Sequence, residues 1–331
     1  MIISRTPYRI SLFGGGSDFP EYYREHGGRV LSFAINKYCF ISVRRLPPFF
    51  THHDRVVYSK VENTIEYSEI QHPAVRTVLE YLHPEFGVSI THDGDIPARS
   101  GIGSSSAFTV GLLNSLLTML HRPAEKRQLA ELAIMVEQQL IGEIVGSQDQ
   151  ICSAYGGFNT IEFYKDEAFR VIPLDLPESR QREFLRNLAL FYTGISRISS
   201  EVALEQKNKI GNNTQHLKDL AEMARTAESY LRSEKDISYI GTLLDEAWRI
   251  KKQLSSKITS SGLDRIYETG LKNGALGGKL LGAGAGGFML FFVPPEKREQ
   301  LKKSLSDYLY VPFEIDMNGS QIIFNDHGDT A

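Results

Sequence analysis

The chain has 331 residues, 41% of them hydrophobic, enough to build a substantial core in each of two domains. Its formal charge is −3 with no long run of lysine and arginine, which argues against a nucleic-acid binder and leaves a small ligand, anionic ones included. Cys39 and Cys152 are the only cysteines, far apart and outside any metal-like spacing, so neither a disulfide framework nor a structural zinc is expected and a reducing cytoplasm is the natural setting.

The opening MIISRTPYR lacks the apolar length of a secretory signal, and the run FMLFFV (288–293) is far too short to span a bilayer, so no membrane partner is expected. From the N-terminus, an extended segment runs into the glycine turn LFGGGSD. A short helix should follow, with Asp18 as its N-cap and Pro20 in its first turn. RVLSFAINKYCFISVRRL has the β-branched and aromatic enrichment of strands, and RVVYSKV with NTIEYSE reads as a second strand pair. A helix over HPAVRTVLEYLH and a strand over GVSITHDGDIP lead to PARSGIGSSSA.

Two helices are expected next, over 105–122 and 124–144, the second with an apolar stripe of Leu129, Leu132, Ala133, Val136 and Leu140. GGFNTIEFY, AFRVIPLDL and LRNLALFYTGISR each supply a strand. From 199 to 273 charged, periodic helices replace strand signals. The tail gives a glycine loop, strand FMLFFV, helix PEKREQLKKSLSDYL, strand VPFEIDM and a last strand QIIFN. The fold class is α+β in two parts, divided as 1–190 and 191–331.

PARSGIGSSSA combines a glycine turn with hydroxyls at a helix start. The same composition serves as an ordinary loop and N-cap, or as an anion cradle in which successive N–H groups meet the positive helix end. No lysine follows Gly103 in the G-x-x-x-x-G-K-[ST] order, so this is not a Walker A loop. In KLLGAGAGGFMLFFV, Gly282, Gly284 and Gly287 satisfy G-x-G-x-x-G, which makes an NAD-dependent oxidoreductase a rival reading. A dinucleotide turn opens a helix, however, and this one opens onto a strand. Glu137 borders the apolar stripe and needs a partner if buried, while Asp149 in GSQDQ reads as a turn residue or an active carboxylate.

Taken in order, TPYRISLFGGGSD, PARSGIGSSSA, VEQQLIGEIVGSQDQ and KLLGAGAGG resemble the motifs of the GHMP kinase superfamily over residues 4–290. Galactokinases carry glutamate and histidine where this chain has Gly15 and Gly16, which argues against galactose. TPYRISLFGGGSDFPEYY, GGRVLSFAINKY and FYTGISR are instead similar to D-glycero-D-manno-heptose 7-phosphate kinases, with L-fucokinase domains next.

The resemblance implies an N-terminal α/β domain with a left-handed βαβ element, a C-terminal ferredoxin-like domain, and ATP between them. Pro97, Gly101, Ile102, Gly103, Ser104, Ser105 and Ser106 would cradle the ATP phosphates, with Gly282, Gly284 and Gly286 closing the site. Mg²⁺ would be held by Ser104 or Ser105 and by Glu137. Asp149 matches the catalytic aspartate and Arg9 its neighbouring arginine. Asp18, Gly15 and Gly16 would meet the sugar. Arg197, Lys37, His52, His53 and Arg55 are candidates for gripping a substrate phosphate. The implied reaction is phosphorylation of the anomeric hydroxyl, with a non-catalytic sugar sensor of the same fold as a third reading.

Overall fold

A computed structural model describes residues 1–98, 100–195 and 199–326. The chain opens with β1 (Ile2–Phe13), whose residues are buried almost throughout, and a glycine turn leads to α1 (Pro20–His26). Phe19, not Asp18, stands at the N-cap, because the Asp18 carboxylate is committed elsewhere. Next come β2 (Gly28–Arg45), the short pair β3 (Asp54–Val57) and β4 (Val61–Thr64), α2 (Pro73–Leu82) and β5 (Val88–Gly94). A buried helix, α3 (Ser104–Met119), follows the first glycine loop. Thirteen of its sixteen residues are buried, which is why it shows no polar face.

The helix expected over 124–144 is shorter and changes character. It is α-helical in α4 (Lys126–Ile134) and π-helical from Met135 to Ile141, where Gly142 donates to the Glu137 carbonyl five residues back. The wider turn rotates the stripe. Leu140, expected inside, is 47% exposed, and Glu137 is 1% exposed. Asp149 stands in the first turn of a further helix, α5 (Gln148–Tyr155), and not in a simple turn. β6 (Phe158–Phe163), β7 (Phe169–Pro173) and α6 (Glu178–Arg186) then close the first part.

β8 (Leu188–Tyr192) starts a second sheet. Helices α7 (Ser199–Asn208), α8 (Thr214–Leu231), α9 (Ser238–Gln253) and α10 (Ser261–Lys272) separate it from β9 (Gly277–Leu280) and β10 (Phe288–Phe292). α11 (Arg298–Ser304) and β11 (Leu309–Tyr310) follow. VPFEIDM forms no strand; only Ile315 bridges, to Ile35. β12 (Gln321–Asn325) returns to the first sheet and pairs with β1.

The first sheet runs β12-β1-β2-β5-β3-β4, with β6 and β7 continuing from β2. The second is ordered β11-β8-β10-β9, the arrangement of a split β-α-β unit, with every pairing antiparallel. β8 lies wholly in this second sheet, so a division at 190 cuts through a strand. Both halves contribute to one continuous apolar core, from Ile10 and Phe33 on one side to Phe191, Trp248 and Phe291 on the other.

Candidate active site

Where the two sheets meet, β1 delivers Arg9 into the interior. Arg9 is 4% exposed, and each nitrogen of its guanidinium has a partner. Nε donates to Asp149 Oδ1 at 2.7 Å, Nη2 to Oδ2 at 2.5 Å and Nη1 to the Gly101 carbonyl at 2.8 Å, while its backbone N–H donates to Ile102 O at 3.1 Å. The two-pronged pair fixes the plane of the carboxylate. Asp149 also sits in the first turn of α5, where the helix dipole favours an anion. Its side chain stays 23% exposed, so one face is open to a ligand.

Asp18 approaches from the β1–α1 turn and is 2% exposed. Its Oδ1 accepts from Gly16 N at 2.8 Å and its Oδ2 from Gln148 N at 3.3 Å. Burial pushes its pKa up and nearby Asp149 adds to this, against the backbone hydrogen bonds. Only a glycine allows the approach: a Cβ at Gly146 would stand 1.9 Å from Asp18 Oδ2. Gly15 lies against Ser11 Oγ and Gln148 Nε2, and Gly16 against Leu217 of α8. Ser11 Oγ and Gln148 Oε1 are buried without hydrogen-bond partners. Unpaired buried polar atoms beside Asp18 suit a hydroxyl-rich ligand. A narrow cleft nearby is lined by Gly16, Phe19, Gln206, Asn213, Leu217 and Leu254.

The two glycine loops abut backbone to backbone. At Gly101, φ is +81° and a Cβ would stand 2.7 Å from Leu281 O; at Gly282, φ is +72° and a Cβ would stand 2.6 Å from Gly101 Cα. Ile102 is fully buried, whereas Pro97 is exposed and only ends the approach from β5. Gly103 at φ +75° is the N-cap of α3 and contributes no side chain, so Ser104, Ser105 and Ser106 form its first turn, at the positive end of the helix. Gly284 and Gly286 both have positive φ and lie against Ile258 and Ile195 respectively. This second loop joins β9 to β10, two antiparallel strands. It opens no helix, which removes the dinucleotide-fingerprint reading.

Glu137, brought inside by the π-helical turn, accepts from Ser106 Oγ at 2.9 Å and Gln150 Nε2 at 2.5 Å, both on Oε2. Within the 104–106 turn, Ser106 sets its hydroxyl against Glu137, while Ser105 is exposed. Oε1 is buried with no partner. Burial pushes the carboxyl up to about 7 and Glu143 adds to this, against hydrogen bonds from Thr109, Ser106 and Gln150. A lone buried carboxylate oxygen beside serine hydroxyls is a donor set that suits a hard divalent cation. Among the described residues no group of three or more His, Cys, Asp or Glu could hold a metal, so any such ion would need other oxygen donors.

Among the described residues the expected phosphate-gripping cations stand on β2 and on or just before β3, not on the glycine loops. Arg197 lies outside the described residues. Arg55 stands opposite Ser89 and Ser89 opposite Arg44, one residue past the Val43–Ile2 pair, so Arg55 lies three strands over from β1 and level with the end of β1 opposite to Arg9. His53 is paired with Asp54 at 2.8 Å. Lys37 sits on the bulge facing Pro7 and Tyr8. Two lysines that were given no role do gather: Lys279, at the start of KLLGAGAGG, and Lys251, both beside the second glycine loop.

A carboxylate fixed by an arginine, next to a helix start and a pair of interlocked glycine loops, is machinery for aligning a hydroxyl against a bound polyphosphate: that of a small-molecule kinase. Comparison with known proteins narrows the class. Residues 69–157 match the GHMP kinases N terminal domain and residues 217–311 the GHMP kinases C terminal. The chain is 30% identical to the D-glycero-alpha-D-manno-heptose 7-phosphate kinase of Campylobacter jejuni, over 92% of this chain and 93% of that one. It is 25% identical, over 91% of its length, to 31% of a bifunctional fucokinase/GDP-fucose pyrophosphorylase of Arabidopsis thaliana. The fold matches the crystal structure of a D-glycero-D-manno-heptose 1-phosphate kinase from Bacteroides thetaiotaomicron with a TM-score of 0.79 at 22% identity, covering 97% of this chain and 98% of that one. The chain belongs to the GHMP kinase family and is a sugar kinase, a phosphotransferase with an alcohol group as acceptor. Its family uses ATP, and no helix among the described residues is long and apolar enough to cross a membrane.

Proposed function

We propose that the chain transfers the γ-phosphoryl group of ATP to the anomeric hydroxyl of D-glycero-D-manno-heptose 7-phosphate, giving the 1,7-bisphosphate and ADP. The observation that carries this reading is the Arg9–Asp149 pair, whose carboxylate is fixed yet open on one face between Asp18 and the glycine loops. The near full-length likeness to a heptose 7-phosphate kinase supports the sugar.

The chemistry follows from what each group does. Asp18, with Ser11 and Gln148, binds sugar hydroxyls and presents the anomeric oxygen to Asp149. The Asp149 carboxylate aligns that O–H; the oxygen forms its bond to the γ-phosphorus as the bond to the β–γ bridging oxygen breaks, and the proton leaves towards the carboxylate. Arg9 keeps the carboxylate in place, and the first turn of α3 offers N–H donors to the phosphates. Glu137 Oε1, with a hydroxyl of the 104–106 turn, would hold Mg²⁺, which when bound offsets phosphate charge. The active site would be filled in the cytoplasm by small molecules alone.

The test is catalytic efficiency on heptose 7-phosphate, heptose 1-phosphate, free heptose, L-fucose and galactose, with phosphorus NMR to locate the new phosphate. Heptose 7-phosphate should lead, and the product should carry phosphate on the anomeric oxygen. Preference for L-fucose, or phosphorylation elsewhere on the sugar, overturns the heptose reading.

A further inference from the structure

Two amino groups beside the second glycine loop, Lys279 buried and Lys251 half-buried, are not used by the chemistry above. Lys279, on β9, is 6% exposed, and its Nζ crosses to the other sheet to donate to Leu12 O of β1 at 2.9 Å. Lys251, near the end of α9, donates to Leu280 O at 2.9 Å and Gly282 O at 2.5 Å, the carbonyls where the loop begins. An ammonium has three N–H donors, so two on Lys279 and one on Lys251 remain uncommitted. Among the described residues neither lysine forms an ion pair.

The charges facing them do not balance. Arg9, Lys251 and Lys279 face one another, against Asp18 and Asp149, and Asp149 is already taken by Arg9. Burial, then Arg9, push Lys279 down to about 7, with Asp18 the one group opposing. Burial, then Lys279 and Arg9, hold Lys251 far below the ordinary lysine range. Buried cations without a counter-ion are costly, and the free N–H donors mark where that counter-ion belongs.

We propose that Lys279 and Lys251 are positioning residues completed by the nucleotide phosphates: an anion seated at the 282–287 loop is the counter-ion that charges Lys279, and the charged side chain then ties β9 to the strand that carries Arg9. This rests on the nucleotide reading of the site. Phosphate occupancy and the junction between the two sheets are thereby coupled through one proton. Lys251, bonded to the Leu280 and Gly282 carbonyls, holds the loop in the shape that receives the anion.

The measurement is proton uptake on binding Mg²⁺-free ADP at pH 8, by titration calorimetry in buffers of different ionisation enthalpy. At that pH the ADP phosphates have no proton to lose and Lys279 is mostly neutral, so binding should take up roughly half a proton or more per ADP. K279R, permanently charged, should bind ADP within about threefold of wild type with little uptake; K279M should take up none and bind about tenfold more weakly. E137Q and K251R remove the other carboxyl and the other amine that an incoming anion would protonate, and each should keep the uptake. ADP binding without uptake overturns the proposal, as does wild-type uptake persisting in K279R or vanishing in E137Q or K251R. Wild type, E137Q and K251R together decide the matter even where a Lys279 variant fails to fold. If ADP does not bind wild type at all, the nucleotide reading fails and this inference falls with it.

Discussion

At the level of single side chains, the argument for catalysis comes down to Asp149 and Glu137, which differ in what holds them. Both Asp149 oxygens are engaged by Arg9, so Asp149→Asn keeps the shape of the site but replaces one acceptor oxygen with an N–H₂ that faces the guanidinium donors. Turnover should fall by roughly 100- to 10,000-fold with nucleotide affinity little changed; near-normal turnover in a steady-state assay would remove Asp149 from the mechanism. Glu137→Gln takes the anionic charge from a carboxyl group whose Oε1 is buried without a protein partner. The Mg²⁺ concentration for half-maximal rate should rise by about tenfold or more, with the KM for sugar unchanged. An unaltered Mg²⁺ requirement contradicts the metal role. These residues were legible because ordered motifs match them to roles. Ser11, Gln148 and Lys279 stand in the same motifs without such a role, and Lys251 stands outside them: a lysine or a serine in a strand carries no signal until the fold removes its water and leaves its donors or acceptors unmatched.

At the level of elements, most strands and helices follow from periodicity and turn chemistry, and the departures have local causes. The π-helical turn at Met135–Ile141 cannot be read from a 3.6-residue pattern, because it breaks that pattern: Leu140 moves outward so that Glu137 can enter. α5 was hidden for the opposite reason, being eight residues long with glycines on both sides, which reads as a loop. The glycine loops show how one position can be fixed by close approach. Gly282→Ala would place a methyl 2.6 Å from Gly101 Cα at a φ of +72°, so both backbones must separate. ADP affinity should drop by about tenfold or more in a calorimetric titration, accompanied by a stability loss of about 1–3 kcal/mol. Wild-type affinity and melting temperature would show that the loops do not need this contact.

Across the whole molecule, the first sheet is also tied to a helix of the second half, α8, at a place away from the lysines. Arg29 of β2 donates to Glu162 of β6 and to Glu228 of α8, each at 2.6 Å, and Thr160 and Arg232 add bonds to Glu228 at 2.7 and 3.0 Å. No sequence pattern links residues 29, 162 and 228; the link exists only because β2 and β6 pair and α8 crosses them. Burial pushes the Glu228 carboxyl up, but the hydrogen bonds from Arg29, Thr160 and Arg232 outweigh it and hold the group below its ordinary 4.5. A carboxyl depressed in the fold contributes stability that is fully present above its unfolded value and is lost as pH falls through the folded value. Glu228→Gln should therefore lower stability at pH 7 by about 1–3 kcal/mol and flatten the decline of stability below pH 4.5, because the variant has no carboxyl there to protonate. The partnership is separable from the others by a double-mutant cycle with Arg29→Met: the two losses should combine to less than their sum, by about 1 kcal/mol. Strict additivity in urea unfolding at pH 7, or an acid transition in Glu228→Gln as steep as in wild type, would mean that the joint contributes nothing to holding α8 on the first sheet.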